Sequence, residues 1–225
     1  MFWKTSEPHG LPRNPFKSCV IPRPIGWIST ISSDSVLNLA PYSFFNGISD
    51  DPPMVMFSSG GSGVDNVDNE KDTITNAEET GEFVCAMVSQ DLKNAMNDSS
   101  ASVSASVDEF NLAGLETEPS ELVRPPRIKT APIHLECTYY DTIELPKGST
   151  GRGNRVCMGN VVGVHISDAV LKDGFIDVMA FKPMARLGYM DYTYVNEVFT
   201  MKGPKGRISS RTNRGTHRFK TLGTG

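Results

Sequence analysis

Short runs of apolar residues, separated by polar turns, recur along most of the chain. From Ile25 to Ile31 apolar side chains alternate with small or polar ones, which is the period of a strand with both faces partly covered. Continuous apolar runs predict strands at 54–57 and 82–89, partial alternation predicts one at 134–145, and β-favouring composition predicts two more at 156–167 and 175–180. Many short strands with few helices favour a mainly β protein, a β-barrel rather than a doubly wound sheet.

A short helix is predicted from Thr73 to Thr80, because Asp72 is a good N-cap and Gly81 favours the left-handed conformation that ends helices. The first backbone amides of this helix and Lys71 would together form an anion site. The alternative is an ordinary capped surface helix with a solvated lysine. Residues 91–121 have helix and loop composition, and their Ser/Ala run predicts a mobile lid or linker followed by a helix near Asp108 to Ala113; the alternative is a surface insertion.

The segment NLAPYSFFN at 38–46 is not typical of a central strand. Pro41 lacks a backbone donor and pushes Ala40 toward an extended conformation. The segment combines hydroxyls and carboxamides with three aromatic rings, a mixture that suits a flat heteroaromatic ligand with polar edges. The glycine-rich residues 58–63 predict a loop that faces a phosphate.

Composition indicates one soluble domain. The chain has 225 residues, with 38% hydrophobic and 21% charged residues, and no apolar run near the roughly 20 residues that span a bilayer. We therefore expect a cytoplasmic protein, or one of an organelle lumen, that has no secretory signal and does not bind a membrane. The four cysteines lack metal-ligand spacing, so we expect reduced thiols and no metal site.

Charge divides the chain unevenly. The net charge is −4, yet the segment 202–220 holds seven Lys or Arg and no acidic residue. We expect an N-terminal arm at 1–17, a domain at 18–201 and a basic, flexible tail at 202–225. The tail has almost no aromatic residues between its basic ones, so nucleic acid is not an expected partner.

Three stretches together resemble the flavin reductase-like family. They are RPIGWIST, NLAPYSFFNGISDDPPMVMFS and KDTITNAEETGEFVCAMV, and the resemblance runs in order from about Cys19 to about Thr200. It implies an FMN-binding split barrel of Greek-key type, with FMN as cofactor, NAD(P)H as co-substrate, a small-molecule substrate and a homodimer.

The resemblance also implies roles for individual residues. Around the FMN phosphate and ribityl chain it implies Arg23, Ser29, Lys71 and Thr73, with Ser58 or Ser59 close by. At the isoalloxazine edge it implies Asn38, Ala40, Tyr42 and Ser43, with Trp27 packed nearby.

The resemblance also implies roles for two residues later in the chain, each with a structural alternative. In the motif PMARLGYMDY, Arg186 would pair with a phosphate, with the isoalloxazine carbonyls or with a nicotinamide dinucleotide; otherwise it forms a surface ion pair. His165 would orient the nicotinamide or donate a proton to reduced flavin as the catalytic residue; otherwise it is a half-exposed strand histidine.

The resemblance therefore implies an NAD(P)H-dependent flavin reductase. Hydride would pass from NAD(P)H to N5 of FMN, and electrons would then pass to free flavin, oxygen or a partner protein. A backbone donor in the segment 38–43 would stabilise the negative charge on the reduced ring. Two alternatives stay open: a non-enzymatic FMN electron carrier or sensor, and a flavin-independent interaction module on the same barrel.

Overall fold

The structure is a computed structural model that describes residues 1–60, 72–104, 106–148, 151 and 153–203, with only the backbone at 72. The strands are β1 (Arg23–Pro24), β2 (Gly26–Ile31), β3 (Leu37–Tyr42), β4 (Phe45–Asp50), β5 (Pro53–Gly60), β6 (Glu82–Met87), β7 (Thr117–Glu118), β8 (Arg127–Ile128), β9 (Ile133–Glu144), β10 (Asn154–Ile166), β11 (Leu171–Lys172), β12 (Phe175–Ile176), β13 (Met184–Arg186) and β14 (Tyr192–Tyr194). The α-helices are α1 (Phe16–Cys19), α2 (Asp72–Thr80), α3 (Lys93–Asp98), α4 (Glu109–Leu112) and α5 (Val178–Phe181), and 3₁₀ turns cover Gln90–Leu92 and Asp168–Val170.

One seven-stranded antiparallel sheet dominates the fold, in the order β3-β2-β6-β9-β10-β5-β4. Within this sheet β5, β6, β9 and β10 follow one another along the chain, and their spatial order is β6-β9-β10-β5. The first of the four strands therefore lies beside the last, which is the Greek-key arrangement. The ladder does not close between β3 and β4 in the part of the chain that the structure describes. The predicted mainly β, split-barrel fold is therefore confirmed.

Two apolar clusters pack on the two faces of this sheet. Alternation along β2 sends Ile28 into the first cluster and Trp27 into the second. The first cluster is the barrel interior, and α2 covers it with Ile74 and Ala77. The second cluster lies beneath the 91–121 segment, which contributes Met96 of α3 and Phe110 of α4. The predicted surface insertion is thus also a lid over core residues.

Residues 38–46 contribute to β3 and β4, which are the two edge strands of the sheet, so the prediction that this segment is not a central strand is confirmed. Pro41 is tolerated because β3 is an edge strand. Two other local predictions need correction. Residues 58–60 continue β5 rather than form a loop. The strand expected at 175–180 stops at Ile176, because the Asp177 carboxylate accepts from the amides of Met179 and Ala180 and begins α5.

A small sheet, β1-β13-β14, ties the start of the domain to its end. Arg23 lies opposite Arg186, and Met184 lies opposite Tyr194. This sheet lies beside the start of β2, so it places the C-terminal motif against β3. That junction contains the candidate site.

Candidate functional site

A small cleft opens where β3, α3 and the β1-β13-β14 sheet meet. We call it the arginine cleft; its volume is about 150 Å³, and it is lined by Ile25, Pro41, Ser43, Met96, Ser100, Arg186 and Tyr192. Two predicted flavin-contacting residues, Ser43 and Arg186, are therefore brought together, although they are far apart in sequence. Met96 and Ser100 come from the insertion, and the motifs alone did not point to them.

Arg186 forms one wall of the arginine cleft. Its Nη1 donates to the Tyr192 hydroxyl, its Nη2 donates to the Tyr189 carbonyl, and its guanidinium carbon lies 4.2 Å from the centre of the Tyr192 ring. These contacts hold the guanidinium in place. None of the lining residues is acidic, and no carboxylate pairs with Arg186 among the described residues.

Arg23 is directed inward instead. Its side chain is buried, and it donates to the carbonyls of Lys17, Val20 and Leu187, with Nε 3.4 Å from the Ser43 Oγ. Burial and, after it, the charge of Arg186 lower the pKa of Arg23. These bonds connect α1 to the segment after β13, so Arg23 stabilises the cleft wall. Its predicted phosphate contact stays a prediction.

A buried polar network lies between β2, β3 and α2. The Asn38 amide nitrogen donates to the hydroxyls of Thr30 and Thr73, at 3.1 and 2.8 Å, and the Asn76 amide nitrogen also donates to Thr30 at 3.1 Å. The structure thus joins Asn38 and Thr73 to each other. Sequence reasoning missed Thr30 and Asn76, whose signal was two polar residues at positions that face the barrel interior.

Predicted serines occupy three environments. Ser29 Oγ is buried without a hydrogen-bond partner among the described residues, and alternation places it on the Trp27 face, away from Thr30. Ser58 Oγ is also buried and has no hydrogen-bond partner among the residues that the structure describes. Ser59 donates to the Gly60 carbonyl. Both Ser58 and Ser59 lie near the end of β5.

The other predicted flavin neighbours belong to the core. Trp27 is fully buried and donates from Nε1 to the Ser99 hydroxyl at 2.9 Å. Tyr42 packs on Phe57 with ring centres 4.9 Å apart, and Ala40 packs against the same first cluster. The prediction for Lys71 lies outside the described residues.

His165 lies in a separate and larger cleft. We call it the histidine cleft; its volume is about 450 Å³, and it is lined by Glu118, Arg127, Lys129, Ala131, Pro132, His134, Val164, His165, Ile166 and Ser167. The His165 Nε2 bonds the Glu136 carboxylate, which is completely buried. The two clefts have no lining residue in common, so one chain does not bring His165 to Arg186.

The ionisable groups beneath the histidine cleft are strongly perturbed. Burial alone would raise the pKa of Glu136, but bonds from the Glu121 amide, His165 and the Leu122 amide outweigh it, so this pKa is lowered. Burial lowers the pKa of His134 to about 4, against the opposing bond to the Ile128 carbonyl. Glu136 is therefore anionic and His134 neutral near pH 7.

The four cysteines lie in two environments. Cys85, Cys137 and Cys157 are buried in the first cluster, Cys19 is exposed, and all four are free thiols. Desolvation raises the pKa of Cys157 to about 12. No group of His, Cys, Asp or Glu among the described residues could hold a metal ion, and no helix within those ranges is long and apolar enough to cross a membrane.

The open ladder and the cationic cleft at its edge define a split-barrel protein. The family model described as "Flavin reductase like domain" matches residues 18–196, so this chain belongs to the flavin reductase-like family. Membership gives the protein a flavin-related redox role and a flavin as its class of cofactor.

Relatives extend this comparison. An uncharacterized protein of Aquifex aeolicus is 38% identical over 172 residues, which cover 75% of this chain and 82% of that protein. The structure resembles nitrilotriacetate monooxygenase component B from Bacillus cereus, with a TM-score of 0.74, 30% identity, and coverage of 83% of this chain and 91% of that one. It also resembles 2-nitrobenzoate 2-nitroreductase NbaA from Pseudomonas fluorescens, with a TM-score of 0.73, 26% identity, and coverage of 87% and 91%.

Proposed function

We propose that this protein is an FMN-dependent oxidoreductase that transfers hydride from NAD(P)H to FMN and passes the electrons to free flavin, oxygen or a partner protein. The observation that carries the proposal is the guanidinium of Arg186 in the wall of the arginine cleft, with the buried guanidinium of Arg23 behind it. Arg23 and Arg186 lie opposite each other on paired strands, and no carboxylate neutralises either one in the described part of the chain. Unmatched positive charge beside a cleft favours an anionic ligand.

The residues present fit a flavin phosphate or an electron-rich flavin edge. Arg186 keeps N–H donors beyond those bound to Tyr189 and Tyr192, because a guanidinium has five. Ser58 contributes a buried hydroxyl that lacks a partner among the described residues. In this proposal Arg186 and Ser43 bind the flavin edge, while Ser58, Lys71 and Thr73 bind its phosphate end. The hydride chemistry is supplied by FMN when it is bound.

A second copy of the chain completes the site in this proposal. The arginine cleft holds about 150 Å³, whereas pockets for drug-sized ligands hold roughly 300–1,000 Å³. His165 faces a different cleft of the same chain. In a homodimer, the histidine cleft of one copy would face the arginine cleft of the other. This arrangement would enlarge the binding space and bring His165 to it. Sedimentation equilibrium should give twice the 24.6 kDa chain mass; a monomer at working concentrations would contradict this step.

Two relatives support a reductive role. The chain is 30% identical to a monooxygenase component and 26% identical to a nitroreductase over most of their lengths. Both names describe proteins of redox systems.

Titration of FMN fluorescence tests the binding step. We expect Arg186→Gln to weaken FMN binding at least tenfold, because it removes the charge that no carboxylate neutralises. Lys172→Gln is the matched control, since Lys172 is an exposed lysine on β11 outside both clefts. Equal affinities in the wild type and Arg186→Gln would refute the cleft assignment, and no FMN binding at all would favour the flavin-independent module.

A further inference from the structure

The carboxylate of Glu136 lies behind the histidine cleft, where three hydrogen-bond donors surround it. Its side chain has no exposed surface, and it accepts from the backbone amides of Glu121 at 2.8 Å and Leu122 at 2.7 Å as well as from His165. Buried carboxylates remain ionised only when such donors surround them. The three donors therefore stabilise the ionised form of the Glu136 carboxylate, which can only accept hydrogen bonds.

Gly163 is the strand neighbour of this carboxylate. It lies opposite Glu136 in the β9–β10 ladder, next to a register shift. A Cβ at Gly163 would lie 3.4 Å from the Glu136 Cβ and 3.6 Å from its Cδ. These are ordinary van der Waals distances, so residue 163 of β10 packs directly against the Glu136 side chain.

An ionised carboxylate fixes the orientation and tautomer of His165. Because the carboxylate accepts only, the Nε2 of His165 must carry the hydrogen. In the neutral ring, Nδ1 is then the hydrogen-bond acceptor, and it has no partner among the described residues. The side chain is 23% exposed and lines the histidine cleft.

The rest of the histidine cleft adds little free charge. Arg127 pairs with Glu118, Lys129 pairs with Glu116, and His134 bonds the Ile128 carbonyl. The cleft also presents Ser167 and the apolar side chains of Val164 and Ile166. An uncharged ligand that combines an N–H or O–H donor with an apolar body fits this lining.

We propose that Glu136 is a positioning residue that holds His165 as the Nε2–H tautomer, so that its Nδ1 accepts a hydrogen bond from a primary carboxamide or hydroxyl group in the histidine cleft. The inference rests on the proposed function for the identity of that ligand, which would be the nicotinamide end of the co-substrate. The tautomer itself depends only on the chain.

Nitrogen-15 NMR of the histidine rings tests the proposal on the full-length protein, with nicotinamide as the probe. The signals of His165 are assigned by their loss in His165→Asn. We expect the Nε2–H tautomer in the wild type, and a shift at Nδ1 when nicotinamide is added. In Glu136→Gln, whose amide can also donate, we expect a mixture of tautomers and nicotinamide binding weakened at least tenfold.

Glu118→Gln is the matched control, because it removes a carboxylate on another wall of the same cleft. It should leave the His165 tautomer unchanged. An Nδ1–H tautomer of His165 in the wild type would overturn the proposal. Because this measurement uses the wild-type protein, it does not depend on whether Glu136→Gln folds. An unchanged tautomer in Glu136→Gln would also overturn it. If the tautomer is as expected but NAD(P)H never reduces the bound flavin, the proposed function fails and the role of Glu136 stands.

Discussion

The arginine cleft and the histidine cleft differ in whether their charged side chains have partners of opposite charge. At the arginine cleft, Arg23 and Arg186 are neighbours, and no carboxylate balances them within the described ranges. At the histidine cleft, Arg127 pairs with Glu118 and Lys129 pairs with Glu116. A cleft with unmatched charge favours a charged ligand, whereas a balanced one favours hydrogen bonding to a neutral group. We therefore expect variants in the two clefts to differ in what they damage.

The largest effect on stability should come from Glu136. Glu136→Ala leaves two backbone amides and His165 without their acceptor in a buried place, and loss of one partner from such a group costs about 3–5 kcal/mol. Urea unfolding measures the change. Glu118→Gln, which removes a partly exposed ion-pair partner, should cost about 1 kcal/mol or less. Similar losses in both variants would mean that Glu136 does not anchor this region.

The next effect separates the two arginines. Arg23→Met leaves the carbonyls of Lys17, Val20 and Leu187 without their donor and should lower the free energy of unfolding by about 2–3 kcal/mol. Arg186→Met should lower it by less than about 1 kcal/mol, because its partners are near solvent. Urea unfolding distinguishes them, and a larger loss in Arg186→Met would reverse their assigned roles.

A smaller effect concerns pH and His134. Its pKa is lowered to about 4 in the folded chain, whereas an unfolded histidine titrates near 6.5, so the unfolded state binds the extra proton first. This contribution to stability is present above about pH 6.5 and is lost as the pH falls toward 4. From pH 7.5 to 5 the loss should be about 2 kcal/mol. The depressed pKa of Glu136 acts below this window, where its contribution is lost on further acidification.

Unfolding measured at both pH values tests this assignment. His134→Gln should be less sensitive to pH by roughly the full 2 kcal/mol, whether or not it is less stable overall. His9→Gln, at an N-terminal histidine outside both clefts, should keep the wild-type dependence. An unchanged pH dependence in His134→Gln would show that another group carries it.

Local patterns predicted the fold better than the site. Alternation identified β2 and most of β10, and the pair of Asp72 and Gly81 bounded α2, because these signals depend on neighbours in sequence. The extension of β3 through Pro41 depended on its place at the sheet edge. That place follows from strand order rather than from the segment itself.

The two clefts depend on long-range register. His165 meets Glu136 because β9 and β10 pair around the shift near Gly163. Arg23 meets the Leu187 carbonyl across 164 positions of sequence. Thr30 rather than Ser29 joins the buried network because α2 covers the face of β2 on which Thr30 lies. Such contacts are decided by tertiary packing, so a single sequence did not reveal them.

The most direct test of the central claim is the visible spectrum of the FMN-loaded protein under anaerobic conditions, before and after addition of NADH or NADPH. We expect a bound flavin spectrum whose absorbance near 450 nm is lost with one of the two nucleotides. Arg186→Gln should require far more FMN to give the same signal. A bound flavin that keeps its colour with both nucleotides would contradict the reductase and leave the electron carrier or sensor.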